Sequence, residues 1–81
     1  MTAPELHRTL RILGYLARPR GVTELSRLIK VSSKTIRRDL DFIRAMGFDL
    51  RATVAPRGKK LYRVRGAVAT LRKLMVGETQ E

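Results

Sequence analysis

Lys34, Thr35, Arg37 and Arg38 place cations and a short hydroxyl within one turn and a half of chain, a donor set that phosphate oxygens and base edges accept. They belong to the stretch Ser32 to Gly47, S-S-K-T-I-R-R-D-L-D-F-I-R-A-M-G, whose two ends are both marked. Ser32 suits a helix N-cap, because its hydroxyl accepts from an orphan N–H of the first turn. Gly47 is the residue type that follows a helix end. Ile36, Leu40 and Ile43 recur at spacings of four and three, so at about 100° per residue they share one buried face. Lys34 and Arg38 then point the opposite way, with Arg37 and Arg44 on one flank and Thr35 on the other. Two readings fit: a DNA-reading helix, or a solvated charged face in which Asp41 pairs with Arg37 at i,i+4.

Composition narrows the partner. Eighteen Lys and Arg against seven Asp and Glu give a net charge of +11 on 81 residues, which implies an anionic partner, nucleic acid first and a membrane surface second. The cations are scattered through periodic apolar segments, so the charge belongs to a folded surface and not to a basic tail. One domain is expected, burying about 60–65% of its unfolded surface. Without cysteine there is no disulfide framework or thiolate metal site, and His7 alone cannot assemble a zinc site; no cofactor and no metal are expected. Catalysis has no nucleophile with an adjacent base to work with, so the chain is not read as an enzyme. Asp39 borders the buried face and is expected in a structural ion pair with a neighbouring Arg. The N-terminus has no signal-peptide apolar core, which predicts a cytoplasmic, nucleoid-associated protein with no membrane partner.

The elements follow in order. Thr2 and Glu5 fit a capping box with Pro4 in the first turn, opening a helix to Ala17 whose stripe is Leu6, Leu10 and Leu13 with Ile12 and Leu16; Arg8 and Arg11 fall outside it. Arg18-Pro19-Arg20-Gly21 is a turn, Val22 adds one strand residue, and Thr23 caps a second helix with Leu25, Leu28 and Ile29 inward and Lys30 in its last turn. Lys30 and Val31 then lead to Ser32. A short helix, a tight turn and a longer helix with a cationic face make a helix-turn-helix. Beyond Gly47 the period becomes two, with Phe48, Leu50, Ala52 and Val54 alternating with Asp49, Arg51 and Thr53; Pro56 and Gly58 turn the chain into Leu61 to Arg65. The resulting β-hairpin carries Arg57, Lys59 and Lys60 at its tip, as a wing or as a Lys-protected edge. Ala67 to Val76 forms a short C-terminal helix. The fold class is therefore α+β, a small winged helix-turn-helix over residues 1–76 with a frayed acidic tail at 77–81.

The run from Val22 to Gly47, V-T-E-L-S-R-L-I-K-V-S-S-K-T-I-R-R-D-L-D-F-I-R-A-M-G, resembles the winged helix-turn-helix of DeoR-type bacterial repressors and the N-terminal domain of WYL-domain regulators. The similarity extends from about Leu6 to Val64, and V-S-x-x-T-I-R-R-D-L is its specific part. In that family the helix carrying this run enters the DNA major groove, which by position implies base contacts from Ser33, Lys34, Thr35, Arg37 and Arg38. Thr23, Ser32, Arg44 and the wing residues Arg57, Lys59 and Lys60 are expected on the backbone. The resemblance implies a sequence-preferring double-stranded DNA binder, a transcriptional regulator acting as a repressor. A ribosome- or RNA-associated basic protein and an architectural phage or mobile-element protein are the alternatives. The family's repressors continue into a sugar-phosphate-sensing or WYL domain, so a stand-alone binder or one excised domain without its own effector is expected. A homodimer is expected through Phe42, which points away from the buried stripe, or through the C-terminal helix.

Overall fold

The chain opens on reciprocal hydrogen bonds: the Thr2 N–H donates to Glu5 Oε1 at 2.8 Å and the Glu5 N–H donates to Thr2 Oγ1 at 3.3 Å. In the computed structural model, which describes residues 2–76, this capping box starts α1 (Ala3–Tyr15). It is followed by α2 (Val22–Ile29), α3 (Ser33–Ala45), the strands β1 (Asp49–Val54) and β2 (Lys60–Arg65), and α4 (Ala67–Met75). The architecture is α+β, helices packed around one edge of an antiparallel hairpin. The acidic tail expected at 77–81 lies outside the described residues. Among these residues no helix is long and apolar enough to cross a membrane.

The hydrogen bonds to Thr2, backbone first and hydroxyl second, hold the Glu5 carboxyl below its ordinary value. A depressed carboxylate contributes stability above its unfolded-state pKa and loses it as pH falls through the folded value, so the first turn of α1 loosens in acid. An NMR titration should find Glu5 ionising below the ordinary glutamate range in the native chain and returning toward it in Thr2→Pro, which removes both the backbone N–H and the hydroxyl. Identical titrations would rule out the box as the cause.

α1 differs from expectation in its end and its face. It stops at Tyr15, not Ala17, because Arg18 precedes Pro19 and is disfavoured in the α region; the Leu16 N–H closes the helix on the Ile12 and Leu13 carbonyls. The buried stripe is Thr9, Ile12, Leu13 and Leu16, whereas Leu6 and Leu10 are 47% and 44% exposed. Thr9 is tolerated inside because its hydroxyl donates to the Glu5 carbonyl at 2.9 Å.

The start of α2 also departs. Gly21, not Thr23, occupies the N-cap, and Val22 is helical instead of extended. The cause lies one residue earlier: Arg20 exchanges both backbone hydrogen bonds with Tyr62, at 2.9 and 2.7 Å, which makes Arg20 the short third strand position. Lys30 ends α2 in the left-handed region at φ 65°, an unfavourable conformation for a residue with a Cβ. The turn that follows is clamped by Ser26, whose carbonyl accepts from the Lys30 and Val31 amides and whose hydroxyl donates to the Val31 carbonyl at 2.6 Å.

α3 begins and ends as its sequence marks it. The Ser32 hydroxyl accepts from the Thr35 N–H at 3.1 Å. At the other end Gly47 takes φ +100°. Its N–H reaches the Arg44 carbonyl at 3.0 Å while the Phe48 N–H reaches Ile43 at 3.3 Å, a Schellman closure. Ile36, Leu40, Ile43 and Phe48 join Ile12, Leu13, Leu16, Leu25, Ile29, Leu50 and Val64 in a single core.

The hairpin pairs Asp49 with Arg65 through to Val54 with Lys60, and Gly58 at φ +78° turns the loop. Its root is tied to α1 by the Val64 N–H, which donates to the Leu16 carbonyl at 2.9 Å. The alternation expected for β1 holds only at the root. Phe48 and Leu50 are buried, but Ala52 is exposed and Val54 is 68% exposed, because the hairpin runs on past the edge of the core. α4 has no buried residue; of its apolar residues Ala67 and Leu71 pack against the core.

Candidate nucleic-acid interface

α3 divides its cations between two sides. Lys34 and Arg38 are exposed on the side away from Ile36, Leu40 and Ile43. Arg37 turns toward the wing, where it lines an open cleft of about 350 Å³ with Val22, Thr23, Lys59, Lys60 and Tyr62. A second opening of about 220 Å³ continues along the same flank and adds Arg44, Asp41, Leu40 and Ala52 to Arg37, Lys60 and Tyr62. Thr23, Arg37, Arg44, Lys59 and Lys60 thus converge from three elements, although only Arg37 and Arg44 share a helix.

Local features of the chain bring this about. A Cβ on Gly21 would lie 3.1 Å from the Lys59 Cε and 3.5 Å from the Lys60 carbonyl oxygen, so a glycine here lets the tip end of β2 close over the start of α2. The α2 N-terminus has no side-chain cap, and its first residues, Val22 and Thr23, line the cleft; such an end is favourable for an anion. Arg57 lies farther out, exposed in the loop between the strands.

The N-terminal end of α3 carries the short donors. Ser32 and Thr35 hydrogen bond through their hydroxyls at 3.0 Å, and Ser33 is half-buried. Asp41 does not pair with Arg37 as expected for a solvated face; it lies 4.0 Å from Arg44, one turn closer to the helix end, with both side chains largely in water. A contact so exposed is worth little. Among the described residues Lys34, Arg37, Arg38, Arg57, Lys59 and Lys60 form no ion pair.

Arg8 is a residue that sequence reasoning left outside the core. Its Nε donates to Asp39 Oδ2 at 2.5 Å and its Nη2 to Oδ1 at 3.0 Å, a two-pronged pair joining α1 to α3. Asp39 is therefore the structural acid expected, with its partner one helix away. The pair raises the Arg8 pKa, chiefly through the hydrogen bonds to Asp39. Arg38 sits beside it, lining an open cleft of about 390 Å³ with Glu5, Arg8, Asp39, Asp41 and Phe42. Arg20 is marked by the sequence only as part of a turn. It stacks over the Tyr15 ring at 5.2 Å, donates to the Tyr15 carbonyl and pairs with Glu24 at 2.6 Å. That cluster fixes the approach to α2, and only the i,i+4 spacing of Arg20 and Glu24 signalled it.

No curated protein and no solved structure matches the chain. The family model for the DeoR-like helix-turn-helix domain matches residues 8–53, more than half of the sequence. That family consists of DNA-binding regulatory domains and is not an enzyme family. The matched span holds α2, the Ser26-clamped turn, all of α3 and most of β1, and the chain belongs to the DeoR-like helix-turn-helix family of DNA-binding transcription regulators.

Proposed function

We propose that residues 1–76 form a sequence-preferring double-stranded DNA binder that represses transcription by occupying its site. The observation that carries this reading is the division of unpaired cations between an outward row and a cleft. Lys34 and Arg38, with Ser33, Thr35 and Arg37 around them, are the base-reading set. Arg is suited to two parallel hydrogen bonds with guanine, and Thr to either an acceptor or a thymine methyl. Thr23, Ser32, Arg44, Arg57, Lys59 and Lys60 position the domain on phosphates. Single-stranded RNA is less well served. Phe48 is in the core and Tyr15 and Tyr62 are half-buried, which leaves Phe42, 37% exposed, as the most accessible ring for base stacking. A DNA ligand also implies a cytoplasmic, nucleoid-associated protein.

Two copies of the domain read a longer site than one. α4 suits the pairing better than Phe42: Val68, Leu71, Met75 and Val76 line one apolar surface, and Met75 is 82% exposed. Phe42 instead borders a cleft of charged groups.

Selection from a random duplex library tests the reading directly. An enriched palindrome supports a dimeric sequence reader and an enriched half-site a monomeric one, while no enrichment would sink the claim of sequence preference. On the enriched site, Lys59→Ala with Lys60→Ala removes two phosphate contacts. The slope of log K against log salt should become shallower by about 1.8, at roughly 0.9 per contact, with random duplexes affected alike. An unchanged slope would remove the wing from the interface.

A further inference from the structure

The hairpin has two faces, and only one turns toward α3. Ala52, Lys60 and Tyr62 line the openings that contain Arg37, and Leu50 and Val64 enter the core. Alternation puts Asp49, Arg51, Thr53, Leu61, Arg63 and Arg65 on the other face. There Arg51 stands directly across from Arg63, and Arg65 directly across from Asp49. Like charges opposed across a strand pair disfavour the hairpin.

The one carboxylate on this face is engaged by Arg51 alone. Asp49 takes its hydrogen bond from the Arg51 Nε at 2.8 Å, while Arg63 and Arg65 have no ion pair among the described residues. Arg63 and Arg65 are two residues apart on one strand, a rise of about 6.6 Å that suits neighbouring backbone phosphates. A polyanion laid on this face would neutralise Arg63 and Arg65, and would reinforce the charge that Asp49 supplies to Arg51.

We propose that the outer face of the hairpin, built from Arg51, Arg63 and Arg65, binds the phosphate backbone of a second DNA duplex, so that one domain bridges two duplex segments. This rests on the DNA-binding reading of α3 and the wing tip. The second duplex is the occupant because this face is cationic and lies opposite the hairpin face that lines the cleft with α3. Recognition is by charge and is indifferent to sequence.

The test anchors a short biotinylated duplex carrying the selected site, saturates it with protein, and measures capture of a fluorescent duplex of unrelated sequence. The combined variant Arg51→Gln, Arg63→Gln, Arg65→Gln should lower capture by about tenfold or more while binding to the anchored duplex changes by no more than about twofold. Thr53→Arg, which adds a cation to the same face, should raise capture and keeps the test alive if the triple variant folds poorly. Capture that persists in the triple variant comes from pairing between copies and overturns the proposal. So does an equal loss on the anchored duplex, which would make the face part of the first footprint. Displacement of the second duplex by phosphatidylglycerol vesicles at equal phosphate would assign the face to a membrane surface and overturn it as well. Failure of the native chain to hold the anchored duplex would instead reject the DNA-binding reading, and this proposal with it.

Discussion

Arg8→Ala is expected to destabilise the fold by about 2–3 kcal/mol, somewhat less than the 3–5 typical of breaking a fully buried pair, since the Arg8 side chain is 24% exposed. Asp39, at 8% exposure, would be left as a carboxylate with neither its partner nor full access to water. For a domain of this size the whole stability is on the order of 4–12 kcal/mol, so the thermal midpoint should fall by about 8–20 °C. Asp39→Ala should cost less than Arg8→Ala, because the guanidinium left behind can swing into solvent. The double variant should then fall well short of the sum of the two. Urea unfolding of all four proteins closes the cycle, and strictly additive losses would show that the pair contributes nothing of its own. DNA affinity should fall along with stability, since this pair sets how α3 sits on α1.

Arg38→Ala should leave stability near that of the native chain and act on recognition. Arg38 is exposed beside the Arg8–Asp39 pair and has no ion pair among the described residues. Losing a two-pronged base contact costs about 1–3 kcal/mol on the preferred duplex, roughly 5- to 150-fold in affinity, and relaxes preference at one position. Random-sequence affinity should change much less, which is the reverse of the pattern expected for Lys59 and Lys60. Competition binding at several salt concentrations separates the two. Equal losses on specific and random DNA would mean that α3 is not the reading helix.

Features marked at both ends were legible from the residues alone. α3 has a serine cap, a glycine closure and an apolar repeat at three and four, and all three agree with its bounds and its core. The hairpin likewise declared itself through the change of period after Gly47. Misreadings arose where a buried position is polar or an apolar one is exposed. In α1 the leucines at 6 and 10 outweighed Thr9, yet Thr9 is interior because a local hydrogen bond satisfies it. Gly21 as a cap could not be foreseen, since it depends on Arg20 pairing with Tyr62 from the far end of the domain. The same holds for the binding cleft. Arg37, Thr23 and Lys59 were each nominated singly, but their convergence depends on the angle at which the wing closes over α2.

The stitch between Leu16 and Arg20 on one side and Val64 and Tyr62 on the other bears on how the molecule assembles. The α2–α3 seam and the hairpin each join neighbouring stretches of chain, whose loops close at small entropic cost. Among the hydrogen bonds of the described residues the stitch closes the longest loop, and its backbone bonds form only when both halves already exist. Nonlocal contacts of this kind limit the rate at which a small domain folds. Docking of the wing onto the helices is therefore the step expected to set the folding rate, because the cleft is complete only once Tyr62 and Val64 have reached Arg20 and Leu16.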